Sequence, residues 1–506
     1  MSAAAANAPS GGGAGRGEIH HDDGRVELDD AATAQLAESP LFNHDLAPVR
    51  VADRRWSTYN FAALWISMAH CIPTYMLAAG LIAAGMSWKA ALFTILLGNS
   101  IVLLPILANS HPGTKYGIPF PVYARAAYGT AGSNLPALMR ALVACGWFGI
   151  NCWIGGQALH TFLRALSPWW LQHVSTAPVG GHAPGEWIGL ALFWLLNIGV
   201  VYRGMDLLRK VENWAAPFVL VMTALLVGWA IHRAHGLGAI MAQRGKLQDF
   251  GSFFKVFVPS LTAMIGFWAT LSLNMPDFTR FGRAQREQAV GQVVALPTTM
   301  TVFAAMGIII TSATAIIYGK AIWDPVDLVG HFSERWIVAV AMFTIVVATL
   351  SVNIAANVVS PANDFANAFP RFISFRTGGL ITGIIGILMQ PWKLMADPSG
   401  YIFKWLVGYS GGLGSIAGVL IADYFIVRKK RLALADLYRS DGVYAGYNVP
   451  GIVATLLGCA AAWIGAFVPA LHAVYDYAWF VGFLVAGGAY LGLAALVATK
   501  DSSAAQ

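Results

Sequence analysis

The sequence predicts an all-α integral membrane protein with about twelve transmembrane helices, and three observations carry that expectation. Apolar residues make up 57% of the 506-residue chain and charged residues 11%, whereas a soluble domain carries about one-quarter charged residues. Runs such as 188–201, 218–231 and 302–317 are almost wholly apolar, and each approaches the roughly 20 residues that cross a bilayer core. Lys and Arg gather in alternate connections between such runs, as the inside-positive bias of membrane proteins requires.

Taken in order, residues 1–50 are rich in Ala, Gly, Asp and Glu without an apolar run and read as a disordered cytoplasmic tail. Nothing there has the pattern of a cleavable signal peptide. His20, His21, Asp22 and Asp23 carry metal-ligating groups but read as a solvated stretch. The transmembrane domain is expected over residues 51–499, with 500–506 a short cytoplasmic tail. Cut at charges and at Gly, Pro and Asn clusters, its apolar spans fall at 58–84, 88–109, 135–166, 186–202, 212–232, 255–274, 289–318, 336–360, 378–395, 400–427, 448–470 and 474–498. Residues 111–134 are expected to enter the membrane only in part.

Orientation follows from the basic residues. Arg50, Arg54 and Arg55 precede the first span, and every second connection repeats the signal. The groups are Lys115 with Arg125; Arg203, Arg209 and Lys210; Arg280, Arg283 and Arg286; Arg371 and Arg376; and residues 428–431. Arg233, Arg244, Lys246 and Lys255 dilute the contrast between the fifth and sixth spans. Both termini are expected in the cytoplasm, the membrane being the inner membrane of a bacterium. The net charge of +7 belongs to this topology, not to a nucleic-acid surface. Of four cysteines, Cys71, Cys145 and Cys152 lie in apolar spans and read as small buried side chains rather than a disulfide framework or metal site.

Two spans look interrupted. The first carries Ser67-Met68-Ala69-His70-Cys71-Ile72-Pro73, and the sixth carries Gly266-Phe267-Trp268 followed by Asn274-Met275-Pro276-Asp277. Proline removes a backbone donor, which lipid tolerates only where protein or a wet cavity satisfies the freed groups. These spans open two five-helix sets, and matched interruptions there mark an inverted-repeat transporter. Plain proline kinks would produce the same residues.

In the third span, Trp147 and Asn151 are four apart and share a face. They offer a plane for stacking and an amide that both donates and accepts, a combination suited to a flat, amide-bearing ring. The same pair also fits packing plus an interhelical hydrogen bond. Glycines around them permit close helix approach. In the eighth span, Asn353 and Asn357 share a face, and amides at membrane depth need partners or a polar ligand. Each serves equally as interhelical glue.

Together these segments resemble the nucleobase:cation symporter-1 family. The matching words are Arg54-Arg55-Trp56-Ser57 with Asn60-Phe61, Trp147-Phe148-Gly149 with Trp153-Ile154-Gly155, and Asn274-Met275-Pro276-Asp277-Phe278-Thr279-Arg280-Phe281. To these are added Asn353-Ile354-Ala355-Ala356-Asn357 with Ser360-Pro361, and Ala422-Asp423-Tyr424-Phe425 with Arg428. They extend from about residue 50 to 440. Within the family the chain is most similar to bacterial allantoin permeases, through His70-Cys71-Ile72-Pro73-Thr74-Tyr75, Gly113-Thr114-Lys115-Tyr116-Gly117-Ile118-Pro119-Phe120-Pro121 and Ser351-Val352-Asn353.

The resemblance implies a LeuT-type five-plus-five inverted repeat with two additional C-terminal helices, importing a small nitrogen-rich heterocycle by cation symport, with allantoin the first choice. It places the stacking tryptophans at Trp147 and Trp268, polar contacts at Asn151 and Asn357, and Cys71 at the break in the first span. It places a cation site on backbone carbonyls of Ser67, His70 and Ala348, with hydroxyls at Ser351 and at position 352. Two departures stand out. Hydantoin carriers of the family have Gln where this chain has Asn151, and position 352 is Val, which lacks the oxygen a sodium site requires. Protons are therefore the expected coupling ion rather than sodium, with His70 a candidate carrier or else a neutral donor holding the broken helix together.

A membrane enzyme is disfavoured: there is no HExxH spacing or phosphate loop, and the GxSxG match at residues 408–412 lies inside an apolar helix instead of a strand-to-helix turn. A channel would need a continuous pore, and a receptor an appended soluble domain. No cofactor, firm metal site, nucleic acid or obligate protein partner is expected; the partners are the heterocyclic solute and the bilayer.

Overall fold

The computed structural model describes the backbone of residues 17–203, 205–247 and 249–504, and the side chains of these except 205–216 and 498–504. Among the described residues, nine helices are long and apolar enough to cross a membrane. A further span consists of two half-helices, Thr58–Ala69 and Ile72–Ala83, bent by 57°. Two shorter apolar helices, Pro217–Arg233 and Phe375–Leu388, stand where the fifth and ninth spans are expected. The rest, in order, are the second, Trp88–Tyr116; third, Asn134–Leu166; fourth, Pro184–Arg203; and sixth, Phe250–Phe267 continued by Ala269–Asn274. They are followed by the seventh, Gln285–Tyr318; eighth, Arg335–Asn357 continued by Val359–Ala368; tenth, Gly400–Val427; eleventh, Val449–Phe467; and twelfth, Ala478–Ala504.

Packing reveals an internal two-fold relation. The first span packs on the seventh as the sixth packs on the second, and the third on the fourth as the eighth's second segment packs on the ninth. The fifth meets the seventh and eighth as the tenth meets the second and third. A short helix bridges spans two and three, Phe120–Tyr128, and another bridges seven and eight, Pro325–Gly330. Five crossings per set oblige the second set to start on the opposite membrane face, so the repeat is inverted. The eleventh and twelfth spans pack on each other and on the tenth, outside this relation.

One expectation needs correction. Residues 17–50 are ordered: Glu18–His20 pairs with Val26–Leu28 as a hairpin, Asp30–Ala37 is helical, and Val26, Leu28, Leu36 and Leu46 are buried. Their sparse apolar side chains suffice because buried arginines bind their backbone: Arg54 donates to the carbonyls of Val26 and Val49 at 2.8 and 3.0 Å, and Arg125 to that of Leu41. Burial holds the Arg54 guanidinium down at about 10, still charged at neutral pH. Residues 1–16 lie outside the described residues. Within the stretch 111–134, every residue of Phe120–Tyr128 is buried in the protein. At the C-terminus, residues 500–504 continue the twelfth helix. In the hairpin, His21 bonds Glu27 at 2.8 Å and Asp23 pairs with Arg25 at 2.6 Å.

The face that carries this hairpin also gathers the connections 2–3, 6–7, 8–9 and 10–11, through Arg125 to Asn367 and Leu437, Arg280 to Asp45, and Asn43 to Pro370. The basic residues marked these connections and also the 4–5 connection, where the side chains of Arg209 and Lys210 lie outside the described residues.

Candidate functional site

The break in the first span rearranges backbone hydrogen bonds. Cys71 is extended (φ −126°, ψ 156°) and Pro73 has no N–H to give. The Cys71 amide turns to the Ala69 carbonyl at 3.0 Å, and the Thr74 amide to that of Cys71 at 3.1 Å. The carbonyls of Ser67 and His70 thereby lose their ordinary donors four residues on, which makes them available to a ligand. His70 closes the half-helix: its Nδ1 lies 2.5 Å from the Ile66 carbonyl. A carbonyl can only accept, so Nδ1 carries the hydrogen and Nε2 is the nitrogen free to take up a proton.

The sixth span is interrupted more mildly, at Trp268 (φ −104°, ψ 7°), after which the Ser272 amide returns to the Trp268 carbonyl at 2.9 Å. Gly266 lets the tenth span come close, since a Cβ there would meet the Leu406 carbonyl at 2.8 Å. The Tyr409 hydroxyl donates to the Gly266 carbonyl at 2.8 Å and accepts from Trp147 Nε1 at 3.2 Å. One phenol thus ties together the third, sixth and tenth spans.

Trp147 and Trp268 both contact the ring of Phe267, at 5.2 and 4.9 Å between centroids. Trp268 also meets Trp65 of the first span at 5.1 Å. Asn151 donates to the Trp147 carbonyl at 2.9 Å, while its Oδ1 and the Trp268 Nε1 are buried without a partner. An unpaired buried polar atom costs about 1–3 kcal/mol, so an amide-bearing ligand that supplied the missing partners would gain by doing so. Cys71 reaches this aromatic group through Tyr401, whose hydroxyl donates to the Pro73 carbonyl at 3.1 Å and whose ring lies 6.1 Å from Trp147. Its own thiol bonds Thr74 at 3.2 Å.

Asn357 donates to Asn353 at 3.0 Å, Asn353 to Asn197 at 3.1 Å, and Asn197 to the Phe193 carbonyl at 2.8 Å. Of the two eighth-span amides, Asn353 is fully enclosed as the link to the third and fourth spans. Asn357, at the end of that chain, keeps slight exposure.

The eighth span packs against both halves of the first. His70 and Ala348 line one cavity of about 590 Å³ between the first, fifth, seventh and eighth spans. Ser351 and Val352 are buried beside Ala348, and position 352 presents methyl groups. Near the opposite membrane face Trp323 contacts Tyr401 at 6.3 Å. The neighbouring Asp324 caps the short helix Pro325–Gly330 through the Val326 amide at 2.8 Å. Burial pushes its carboxyl up to about 6, against the lowering pull of the capped amides.

Tyr401, Tyr409 and Phe267 were not singled out in the sequence. Tyr409 sits in the same GxSxG stretch that was set aside as ordinary helix, and its aromatic neighbours were the available signal. Arg140 and Asp364 were also passed over, although an ionisable residue in a span marks function by default; they form a fully buried ion pair at 3.4 Å.

A family model described as permeases for cytosine/purines, uracil, thiamine and allantoin matches residues 48–482. Among relatives, an allantoin permease of Bacillus subtilis is 42% identical over 468 residues, covering 89% of this chain and 93% of that one. A purine-uracil permease of Arabidopsis thaliana is 39% identical, covering 92% and 79%. A hydantoin permease of Microbacterium maritypicum is 27% identical, covering 80% of each. Among solved structures, a nucleobase-cation-symport-1 family transporter in a closed conformation with bromovinylhydantoin bound superposes with TM-score 0.75, at 24% identity over 91% of this chain and 96% of that one. A Na+-coupled sialic acid symporter shares the fold at TM-score 0.60 and 11% identity, over 92% and 95%.

Proposed function

This chain belongs to the family of permeases for cytosine/purines, uracil, thiamine and allantoin, a multi-pass membrane transporter and not an enzyme, and from that premise we propose that it imports allantoin by proton symport. The observation that carries the substrate reading is the packing of Trp147 and Trp268 on Phe267 at the sixth-span break, with Asn151 bonded to the Trp147 carbonyl and two buried polar atoms left to pair. In this reading the ring lies between the two indoles, where stacking favours any flat heterocycle. The amides of Asn151 and Asn357 read its edge, and Cys71 bounds it from the first span. The 42% identity to a permease named for allantoin supports that solute over its analogues.

A second reading is uracil, a hydantoin or another ring of the same class, and Asn151 is what favours it. One methylene shorter than glutamine, the amide stands closer to its helix and leaves room for a different edge. The proton is preferred as coupling ion because Val352 offers no oxygen beside Ser351, the Ser67 and His70 carbonyls and the Ala348 position, and because His70 Nε2 is available for protonation. The hairpin face is assigned to the cytoplasm of a bacterial inner membrane from its basic connections.

The test is competition for radiolabelled allantoin uptake in a permease-deficient strain by allantoin, hydantoins, uracil, cytosine and purines. Strongest competition by unlabelled allantoin is expected; uptake displaced better by uracil or a purine would replace the substrate assignment.

A further inference from the structure

Two helical turns toward the hairpin face from the aromatic site, Arg140 and Asp364 meet as a buried pair. Arg140 precedes Trp147 by seven residues and Asn151 by eleven, and Asp364 follows Asn357 by seven. Such spacings keep each set on one helix face, separated by about 10 Å along the axis. The polar stripes of the third and eighth spans therefore run from the proposed ring site down to the Arg140–Asp364 pair.

The pair is incompletely used. Arg140 Nη1 faces Asp364 Oδ2 at 3.4 Å with both side chains fully buried, but Arg140 Nε and Nη2 and Asp364 Oδ1 have no partner. Asn363 Nδ2, next in sequence to Asp364, Asn274 Oδ1 and Asp277 Oδ2 are also buried and unpaired. The remaining atoms are engaged: Asp277 Oδ1 accepts from the Phe120 amide at 2.9 Å, and Asn274 Nδ2 donates to Ser360. Both carboxylates lie within electrostatic reach of Arg140. Arg280, three residues on from Asp277, gives its Nη1 to the Asp45 carbonyl at 2.9 Å.

We propose that Arg140, Asp364, Asn363 and Asp277 form a second solute position on the cytoplasmic side of the central site, taking planar amide- or ureide-bearing solutes as they leave. The proposal rests on the function proposed above. Its chemistry is complementary on both edges: the Nε/Nη2 edge of Arg140 is a two-donor fork for carbonyl oxygens, Asn363 adds a donor, and the carboxylate and Asn274 oxygens accept ring or ureido N–H groups. Its place fits as well, because the third and eighth spans that bound the central site supply Arg140, Asn363 and Asp364, and the short helix Pro276–Thr279 that follows the sixth supplies Asp277. When they part on the hairpin face, this is the first polar surface a departing ring meets. A solute without N–H and C=O edges would leave these groups unpaired and is selected against.

The test uses the full chain in sided proteoliposomes, with radiolabelled allantoin half-saturation measured separately from each side by counterflow. Asn363→Ala and Asp364→Asn should raise the cytoplasmic half-saturation about fivefold or more, the size expected when a buried polar contact is lost. External half-saturation should stay at the wild-type value. If Asp364→Asn does not fold, Asn363→Ala decides. A structural or gating role would change maximal rates without this sidedness, so unmoved cytoplasmic half-saturation, or equal shifts on both sides, overturns the second position alone. Failure of the wild type to carry allantoin or any other ring of the panel overturns the substrate reading, and this proposal with it.

Discussion

The first and sixth spans hold equivalent places in the two five-helix sets, yet they are broken in different ways. In the first, an extended residue and a proline bend the chain by 57° and strip two carbonyls of their helical donors. In the sixth, one residue leaves helical geometry and the hydrogen bonding resumes within a turn, but the interruption turns Trp268 toward Phe267 and Trp65. One break exposes backbone; the other presents a side chain. Equivalent positions in an inverted repeat have been given different chemistry: oxygen atoms suited to a cation, and aromatic surface suited to a ring.

This division can be broken by substitution. The largest effect is expected from removing the aromatic surface: Trp147→Ala or Trp268→Ala should reduce uptake about tenfold or more, since stacking is worth on the order of 1–3 kcal/mol, and should leave the ion dependence as it was. Wild-type uptake in either variant would place the ring elsewhere. A smaller effect, of severalfold in relative preference, is expected from Asn151→Gln, which should reorder allantoin, hydantoin and uracil in competition because buried polar contacts discriminate by what they leave unpaired. An unchanged order would remove Asn151 from the site.

The backbone break is sharpened by the cation experiments. Uptake should respond to an imposed pH gradient and ignore replacement of sodium by choline, and Val352→Thr, which restores a hydroxyl in nearly the same shape, should introduce a partial sodium response. Strict sodium dependence in the wild type would mean that the carbonyls of Ser67 and His70 hold sodium without help from position 352.

The smallest effect concerns the connection between the seventh and eighth spans. The Asp324 carboxyl stands at about 6, above its ordinary value of 3.8. The protonated form is therefore favoured in the folded state; its contribution is complete below about pH 4 and is lost as pH rises through about 6. Asp324→Asn should flatten the pH dependence of amide protection in residues 322–332 across that interval, measured by hydrogen exchange corrected for intrinsic rates. A step that persists in the variant belongs to another group.

Much of this arrangement was legible in the sequence because lipid forces it into the open. Apolar length located the spans, and the inside-positive residues correctly grouped the connections that meet on the hairpin face. Trp147 and Asn151 could be paired by spacing alone. What stayed hidden depended on contacts between distant residues. Residues 17–50 lack apolar runs, and their order comes from arginines at 54 and 125 that bind their carbonyls. Asn353 and Asn357 are indistinguishable by type, and only Asn197, from another span, separates the enclosed link from the amide at its end. Arg140 was legible as a charge inside an apolar run, but the eighth span was ended at 360, four residues before the aspartate that balances it.

The central claim is that the ring binds between indoles of the third and sixth spans. It is tested most directly by equilibrium binding of radiolabelled allantoin to the purified full-length protein, wild type against Trp147→Ala, with thermal unfolding recorded on the same samples. An affinity about tenfold or more weaker is predicted in variant samples whose unfolding transition shows them folded at the assay temperature, matching the loss of one stacking surface; equal affinity in the two proteins would contradict the site.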